Sequence, residues 1–534
     1  MRKILLFILW GASAHYCTAA EVRFPDGQGA HGVGLRVVQQ YDYARVYKDK
    51  TDLTSGTVAS GERARPLQTL IWYPANKVAG TPLRYDDYLR LAATEVHFGR
   101  SVAEVDQAVA ANMEENYANL SDAQKRTERA RAMSAVRDAP AAPGKFPVVI
   151  YAPGSSSSAH ENADLCEYLA SHGYLVLAAA STGVHTRSIN TDLEGAEAQA
   201  ADISFLTGFA GTLAQADRSH LAVVGYSFGG LANVLAAAKD DRINALVALD
   251  GSVRYFPSIV QAAAYATPER LALPMLYLGA IPQTAEVMNR SKQVPTYSLM
   301  NQMKYADLYN ATMYTMAHAA FQSESLRLGP EHRFGEYSRD EATLAHGWMG
   351  RYVHAFLDAY LKNDAPARKF MHSTPRENGV PAHLLSLDTQ GAQGNPPTMA
   401  TLASAFALRK YKNLTDVYGE MTRREVTFKP GERALISWGE PFMEQKRYQP
   451  AIEIFKLANT LYPESGRAAF YLAMAYDKND DYAFAIEAYR RVLAVWPGMP
   501  EATQSIGRLQ AAAASRNVPA TAANRSRTGS NTGR

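Results

Sequence analysis

Short apolar runs recur through the middle of the chain, with stretches of helix length between them. The runs are rich in β-branched and aromatic residues, and they are TLIWY (69–73), PVVIYA (147–152), YLVLAAA (174–180), HLAVVG (220–225), INALVALD (243–250) and LPMLYLG (273–279). Segments such as ENADLCEYLASHG and GGLANVLAAAKD separate several of them. Continuous apolar strands that alternate with helices are typical of a mostly parallel sheet covered on both faces. The pattern therefore predicts an α/β fold.

Two stretches interrupt this rhythm. Residues 84–140 are long, charged and helical in pattern, and residues 282–310 form a second interruption. Enzymes of the α/β class accept insertions in the loops between strands. We expect 84–140 to be a helical insertion, and both a cap over an active site and a solvated decoration fit its pattern.

The C-terminal part has a different pattern, a repeat of 34 residues over 432–499. The aligned pairs are Trp438 with Leu472, Gly439 with Ala473, Phe442 with Tyr476, Ala451 with Ala485, Phe455 with Tyr489 and Pro463 with Pro497. The period, the small residues and the closing prolines resemble two tetratricopeptide repeats. Residues 500–514 would add a capping helix, giving a small all-α domain over 431–514.

Two repeats make a short solenoid, below the usual three. Packing on the rest of the chain or on a second subunit is therefore one hypothesis, and binding of a partner protein is the other. We expect residues 366–430 to link the two parts, and the polar residues 515–534 to be disordered.

The first twenty residues have the pattern of a signal peptide. Arg2 and Lys3 precede the apolar run ILLFILW, and small residues follow up to a plausible cleavage site near Ala20. The run is much shorter than the roughly 20 residues of a membrane span, and no later segment has a transmembrane pattern. Export to the periplasm or the medium is expected. Lipoprotein anchoring through Cys17 is disfavoured, because the preceding AHY matches that signal poorly.

Length and composition add limits rather than chemistry. A chain of 534 residues exceeds a single core, so two or more domains are expected. The formal charge of +3 gives no reason to expect nucleic acid or an anionic membrane as a partner. Cleavage of the signal would leave Cys166 as the one cysteine, which excludes an intrachain disulfide. Its helix-like surroundings favour a buried, inert thiol over a catalytic one.

The stretch VVGYSFGGLAN (223–233) places Ser227 in a Gly-x-Ser-x-Gly frame. A strand pattern precedes it and a helix pattern follows it, which is the order that a nucleophile elbow requires. The competing interpretation is a glycine-rich structural turn. The flanking strand and helix favour a nucleophile.

A serine nucleophile needs a base, and in α/β-hydrolases the chain order is serine, acid, histidine. His318 follows the β-like run ATMYTMA and is the best candidate. His332 lies in a looser segment, whereas His346 and His354 lie in a helical pattern that favours a covering role.

The acid has two candidates. Asp250 ends the run INALVALD, where a side chain would project over the active edge of the sheet. Glu286 is the one carboxylate near the end of the next run and is the alternative. An aspartate at a strand end could instead cap a turn or a helix.

Stabilisation of an oxyanion needs two preorganised backbone N–H groups. One should belong to Phe228, directly after the nucleophile. The other should come from PGSSSSAHEN after the strand 147–152, with Ser155 as the candidate and Gly154 and Ser156 as neighbouring alternatives.

The chain resembles the platelet-activating-factor acetylhydrolase and dienelactone-hydrolase-like branch of the α/β-hydrolases. The resemblance covers about residues 30–365, through RPLQTLIWYPA, PVVIYAPGSSSS, LASHGYLVLA, VVGYSFGG, INALVALDGS and MAHAAF. It implies an α/β-hydrolase domain over 21–365, an acid at Asp250 in its ALD context and a base at His318 in a His-x-x-Phe context. It also implies an oxyanion amide at Ser155.

Two departures limit what the resemblance implies. Pro153 stands where that group often has histidine, and Ser227 stands where dienelactone hydrolase has cysteine. Dienelactone is therefore not expected as a substrate, and phospholipid specificity is not implied.

The sequence as a whole predicts an exported serine hydrolase that cleaves carboxylic esters through an acyl-enzyme on Ser227. The same triad could serve a peptidase or amidase. A non-catalytic scaffold whose repeats bind a partner protein is a third hypothesis. No metal or organic cofactor is expected, because the sequence has no His/Cys cluster with ligand spacing.

Overall fold

The structure, a computed structural model, describes residues 21–516 except 53–54, 59, 78–79, 282–287, 289–297, 424 and 426. The chain separates into two compact units, Met1–Gly394 and Asn395–Arg534. The predicted signal peptide, the alternative acid Glu286 and residues 517–534 of the predicted disordered tail lie outside the described residues. Among the described residues, no helix combines the length and the apolar character that crossing a bilayer requires.

The described part of the first unit contains one sheet of eleven strands, in the order β11-β10-β9-β8-β7-β5-β6-β2-β1-β4-β3. The strands are β1 (Gly32–Val46), β2 (Ala64–Ala75), β3 (Pro82–Arg84), β4 (Ala132–Arg137), β5 (Phe146–Ala152), β6 (Leu175–Ala179), β7 (Ala216–Tyr226), β8 (Ala245–Leu249), β9 (Met275–Ala280), β10 (Leu308–Met313) and β11 (Leu385–Gln390).

Six neighbouring strands of the sheet are parallel to one another, and in spatial order they are β6, β5, β7, β8, β9 and β10. The β6–β2, β2–β1 and β10–β11 pairs are antiparallel. All six apolar runs of the sequence pattern lie in strands of this sheet. The carboxyl ends of β5, β7, β8 and β10 consequently meet at one edge, where ligands bind in open α/β sheets.

Helices cover both faces of the sheet. Those of the first unit are α1 (Tyr85–Ala92), α2 (Val102–Asn116), α3 (Asp122–Ala130), α4 (Ala163–Ser171), α5 (Leu193–Ala210), α6 (Gly229–Ala237), α7 (Pro257–Ala262), α8 (Ser298–Gln302), α9 (Ser323–Leu328), α10 (Arg339–Leu361) and α11 (Ala365–His372). One apolar layer packs α4 and α10 on the sheet, and the other packs α5 and α6 on the opposite face.

Strand β5 shows why the central runs are apolar throughout. Val149 and Tyr151 belong to one apolar layer, whereas Val148 and Ile150 belong to the other. Successive side chains of a strand point to opposite faces, so a strand covered on both faces needs apolar residues at every position. The predicted α/β architecture with a mostly parallel sheet is therefore what the structure has.

The insertion 84–140 contains helices α1, α2 and α3, as its pattern predicts. It also contains β4, which the sequence pattern did not indicate and which pairs in parallel with β1. Strand β1 was not predicted either. From Arg36 to Val46 its positions are half-buried or exposed, so it lacks the continuous apolar run that marks the central strands.

The prediction that residues 366–430 form a linker needs correction, because most of this segment belongs to the two units. Helix α11 and the edge strand β11 belong to the first unit, and two helices of the second unit, α12 (Met399–Leu408) and α13 (Leu414–Thr422), fill most of the rest. Strand β11, LSLDTQ, is exposed over its second half. Its sequence is polar because it borders solvent at the sheet edge, and a polar run without periodicity reads as a loop.

The second unit is all-α in its described residues. Five further helices follow α12 and α13, and they are α14 (Glu432–Glu444), α15 (Tyr448–Leu461), α16 (Gly466–Lys478), α17 (Tyr482–Val495) and α18 (Pro500–Arg516). Each of the five contacts the next along the chain. A Cβ atom on Gly439 would lie 2.3 Å from the ring of Phe455, so the small residue lets α14 and α15 approach closely.

Candidate active site

Ser227 lies in a sharp turn between β7 and α6. Its φ is +52°, in the left-handed region that is costly for a residue other than glycine. The chain reverses tightly here: a Cβ on Gly225 would lie 2.3 Å from the carbonyl oxygen of Gly229, and one on Gly229 would lie 2.1 Å from that of Ala152. Both glycines are therefore required for the turn. The turn presents the Ser227 hydroxyl at the carboxyl edge of the sheet.

His318 reaches Ser227 from the loop after β10. Its Nε2 lies 3.0 Å from the Oγ of Ser227. The imidazole stacks on the ring of Tyr226, with centroids 5.1 Å apart, and the Tyr226 hydroxyl donates a hydrogen bond of 3.1 Å to the His318 carbonyl. The residue before the serine thus supports both the ring and the backbone of the histidine.

Asp250 follows β8 directly and completes a chain of hydrogen bonds. Its Oδ2 lies 2.6 Å from the Nδ1 of His318. The residue is fully buried and has a φ of +42°. Ala280 donates its N–H to Oδ1 at 3.0 Å, and the Tyr255 hydroxyl lies 3.2 Å from the same atom. The structure therefore brings together the three residues that the sequence selects as a triad.

The charge state of Asp250 follows from these partners. Burial by itself would raise its pKa, but the hydrogen bond and charge of His318, the N–H of Ala280 and the cation of Arg254 outweigh burial. The pKa of Asp250 is therefore lowered from its ordinary value. Arg254 is itself fully buried, with Nη1 4.0 Å from Oδ1 of Asp250. An ionised Asp250 can orient the imidazole and stabilise its protonated form.

The two predicted oxyanion residues, Ser155 and Phe228, line the same cavity as Ser227 and His318. Neither backbone N–H donates a hydrogen bond to an acceptor among the described residues. The N–H of Gly154, by contrast, donates to the Oε1 of Glu161 at 2.8 Å. The two neighbouring alternatives are therefore less suited to bind an oxyanion. The N–H of Gly154 is already bonded to Glu161, and Ser156 is not among the residues that line the cavity.

The cavity at the triad has a volume of about 250 Å³. Its lining residues are Ser155, Thr191, Ser227, Phe228, Ser252, Tyr255, Phe256 and His318. None of these lies in the insertion 84–140, so the described lining comes from the core of the domain. The lining combines small hydroxyl side chains with the aromatic residues Phe228, Tyr255 and Phe256, which suits a ligand with both polar and apolar parts.

The other histidine candidates have structural contacts. His346 is fully buried in α10, with Nδ1 2.8 Å from the Ala320 carbonyl. His332 lies in a short 3₁₀ turn, Glu331–Phe334. His354 lies between Asp26 at 3.1 Å and Asp358 at 3.0 Å.

His354, Asp26 and His172 are the one group of three potential metal ligands among the described residues, with ligand atoms within 4.8 Å of one another. Burial would lower the pKa of His354, but its bonds to Asp26 and Asp358 raise it overall. Carboxylates thus engage both ring nitrogens of His354, Asp26 at Nδ1 and Asp358 at Nε2. This group is therefore an ion-paired cluster.

Cys166 is fully buried in α4, and burial raises the pKa of its thiol well above the ordinary value. A thiol in this state is not a nucleophile at neutral pH. The structure therefore agrees with the prediction of an inert cysteine.

Three residues around the triad were not selected from the sequence: Tyr226, Arg254 and Tyr255. Tyr226 occupies the first variable position of the Gly-x-Ser-x-Gly frame, where its role has no sequence signature. Arg254 and Tyr255 follow Asp250 by four and five residues, at the end of the 3₁₀ turn Ser252–Arg254 and directly after it. The signal available in the sequence was that Arg254, a charged residue, closely follows the candidate acid Asp250.

A sequence model of the chlorophyllase family matches residues 107–253, a range that includes Ser227 and Asp250 and ends before His318. Among solved structures, a ferulic acid esterase from Streptomyces cinnamoneus is similar, with a TM-score of 0.46 and 20% sequence identity, over 65% of this chain and 94% of that one. No curated protein matches the chain. The sheet order and the family match together support an α/β-hydrolase domain.

Proposed function

We propose that the protein is a serine hydrolase that cleaves carboxylic esters. One observation carries the proposal: the chain of hydrogen bonds from Ser227 through His318 to Asp250, at 3.0 and 2.6 Å, beside a cavity at the carboxyl edge of the sheet. A serine on a strained turn, a histidine within reach and a buried carboxylate behind it are the parts that nucleophilic acyl transfer needs.

The reaction proceeds in two halves. Ser227 Oγ attacks the acyl carbon while His318 Nε2 takes its proton, and the Asp250 carboxylate stabilises the imidazolium that forms. The N–H groups of Phe228 and Ser155 stabilise the oxyanion. His318 then donates its proton to the leaving alcohol, which leaves an acyl-enzyme. Water, deprotonated by the same histidine, hydrolyses this intermediate and restores Ser227.

The family match supports an esterase-type hydrolase at a general level, because the matched model is that of chlorophyllases and its range includes Ser227 and Asp250. The more specific resemblance to acetylhydrolases stays a prediction. A peptidase with the same triad is the alternative, and it differs in the leaving group that His318 must protonate.

Labelling with a fluorophosphonate tests whether Ser227 is a nucleophile. We expect the probe to modify the wild-type protein and Ser219→Ala, whose exposed serine lies on the same strand, but not Ser227→Ala. Hydrolysis of 4-nitrophenyl acetate by Ser227→Ala should fall by about 10⁴–10⁶-fold in kcat. A wild-type protein that is not labelled, or a fully active Ser227→Ala, would exclude the proposed chemistry.

Matched substrates separate esterase from amidase. We expect 4-nitrophenyl esters of increasing acyl length to be hydrolysed, and 4-nitroanilides of the same acids to be hydrolysed far more slowly. The acyl length with the highest kcat/KM then identifies the preferred acid. Faster turnover of the anilides would favour the peptidase.

We further propose that helices α14–α17 are two tetratricopeptide repeats, and that residues 1–20 are a signal peptide directing export to the periplasm or the medium. The 34-residue period and the close packing at Gly439 support the repeats. The repeats would bind a partner protein or a second copy of the chain. N-terminal sequencing of the protein from the exported fraction should begin at Glu21, and a protein retaining Met1 in the cytoplasm would contradict export.

A further inference from the structure

Glu161 is a fully buried carboxyl group directly behind the loop that holds Ser155. Its Oε1 accepts the N–H of Gly154 at 2.8 Å and the hydroxyl of Tyr151 at 2.8 Å. Gly154 precedes Ser155, so the Glu161 side chain fixes the peptide next to the proposed oxyanion amide. The 153–157 loop lies outside the helices and strands, and its own backbone contributes one bond of 3.1 Å, from the Ser157 N–H to the Gly154 carbonyl.

Glu161 and its neighbour Asn162 also hold the segment after His318. The Glu161 carbonyl accepts the N–H of Glu324 at 3.0 Å. The Asn162 side chain donates to the Phe321 carbonyl at 2.8 Å and accepts the N–H of Ser323 at 3.0 Å. Residues 161–162 therefore connect the 153–157 loop to the turn that begins at His318. The proposed oxyanion site and the proposed base are tied to one point of the fold.

Among the described residues, the titratable groups that face Glu161 are neutral or acidic. Tyr151 on β5, Tyr226 on β7 and Cys166 on α4 face it, and so does Glu324 on α9. No lysine or arginine among the described residues forms an ion pair with it. Burial raises the pKa of each of the two tyrosines and of the cysteine well above its ordinary value, so these three stay neutral near pH 8.

We propose that Glu161 is a positioning residue for ester hydrolysis, which holds the Pro153–Gly154 peptide so that the next N–H along the chain, that of Ser155, points to the oxyanion. This inference rests on the proposed function. It assigns Glu161 no contact with substrate, and its influence passes through the N–H of Gly154.

Ionisation of Glu161 is expected to slow ester hydrolysis. Burial raises the pKa of Glu161 to about 8, although the bonds from Tyr151 and Gly154 oppose the rise. Below that pH the carboxyl is neutral. Above it a buried negative charge forms behind Ser155, where it opposes the negative charge that develops on the oxyanion. The wild-type kcat should therefore fall as the pH rises through about 8.

Glu161→Gln tests this directly. The amide oxygen can still accept the Gly154 N–H, and the side chain cannot ionise. We expect near wild-type kcat at pH 7 and no decline between pH 7 and 9.5, whereas Glu161→Ala should lose about 10–100-fold in kcat with little change in KM. Glu167→Gln is the matched control: Glu167 is also a buried glutamate on this side of the sheet, with a pKa raised by burial to about 7, but it bonds to Tyr88 and Ser134.

The readouts are the pH profile of kcat for 4-nitrophenyl acetate, corrected with Ser227→Ala, and the rate of fluorophosphonate labelling at each pH. If the alkaline decline persists in Glu161→Gln, or disappears equally in Glu167→Gln, the inference is wrong. Failure of the wild-type protein to be labelled would instead reject the proposed function. Glu161→Gln preserves the size of the side chain and the oxygen that accepts the Gly154 N–H. Its pH profile therefore tests the positioning role of Glu161 even if Glu161→Ala does not fold.

Discussion

The two sides of the active site each contain a fully buried carboxyl group, and the two groups differ in charge. Asp250, behind His318, has a lowered pKa and is ionised, whereas Glu161, behind Ser155, has a pKa raised to about 8 and is neutral at pH 7. Burial is equal in the two cases, so it cannot be the cause of the difference.

The partners are the cause. Asp250 accepts hydrogen bonds from His318, Ala280 and Tyr255 and lies 4.0 Å from a guanidinium nitrogen of Arg254. Glu161 has a tyrosine hydroxyl, one backbone N–H and the Ser157 side chain as partners, and the charge that faces it is the carboxylate of Glu324, which raises its pKa further. A buried acid is ionised only where donors and a cation replace the lost water. The ionised Asp250 can therefore orient the base His318, and the neutral Glu161 can lie close to an oxyanion.

The largest expected effect comes from removing the charge of Asp250. Asp250→Asn should lower kcat for ester hydrolysis by about 10³–10⁴-fold, because an amide cannot stabilise the imidazolium and favours the wrong tautomer of His318. Steady-state kinetics with 4-nitrophenyl acetate measure this. Asp240→Asn, which breaks a pair with Arg242 after α6, is the control and should keep wild-type kcat. Full activity in Asp250→Asn would move the acid role elsewhere, with Glu286 as the next candidate.

A smaller effect is expected from removing one donor to Asp250. Tyr255→Phe deletes a hydroxyl 3.2 and 3.3 Å from the carboxylate oxygens, and the length of these contacts limits the loss to about 3–10-fold in kcat. Tyr277→Phe is the control, since its buried hydroxyl donates to the Gly251 carbonyl instead. Equal kcat values for the two variants would mean that Tyr255 does not contribute to the charge state of Asp250.

The smallest expected effect is on stability. The pKa of Glu161 is raised to about 8 and that of Glu167 to about 7, whereas in the unfolded chain a glutamate titrates near ~4.3. Between these values the folded state binds more protons than the unfolded state. The contribution of these two groups to the free energy of unfolding should therefore fall as the pH rises from about 5 to 8.

Thermal denaturation at pH 5, 6.5 and 8 measures this slope, which should amount to a few degrees in Tm at most for a chain of this size. Glu161→Gln and Glu167→Gln should each reduce it. Asp250 acts in the opposite sense, because its lowered pKa gives stability that is lost only as the pH falls below the range where an aspartate is ordinarily ionised. A pH dependence of Tm that is the same in the wild-type protein and in both variants would contradict the neutral state of the two glutamates.

The sequence is most informative where a local pattern has one structural meaning. The central strands had to be apolar at every position, and the Gly225-x-Ser227-x-Gly229 frame is required by the close approach at the turn, so both could be recognised. Asp250 could be selected because it ends an apolar run, and His318 because it follows another.

Other features depend on contacts between distant segments and left no local pattern. The bonds from residues 161–162 to residues 321–324 connect positions about 160 residues apart in the chain. Strand β11 falls within the linker that the sequence predicts, because an edge strand facing solvent needs no apolar run. The burial of Glu161 could not be predicted from the sequence either, since a glutamate in a helix-like segment is ordinarily exposed.

The burial of Cys166 offers a practical handle for spectroscopy. A chain that begins at residue 21 contains no other cysteine, and this thiol is too enclosed and too weakly acidic to react with maleimides. A cysteine introduced at an exposed position such as Ser219 would then be the single site of attachment for a fluorophore or spin label, with no need to remove the native cysteine first.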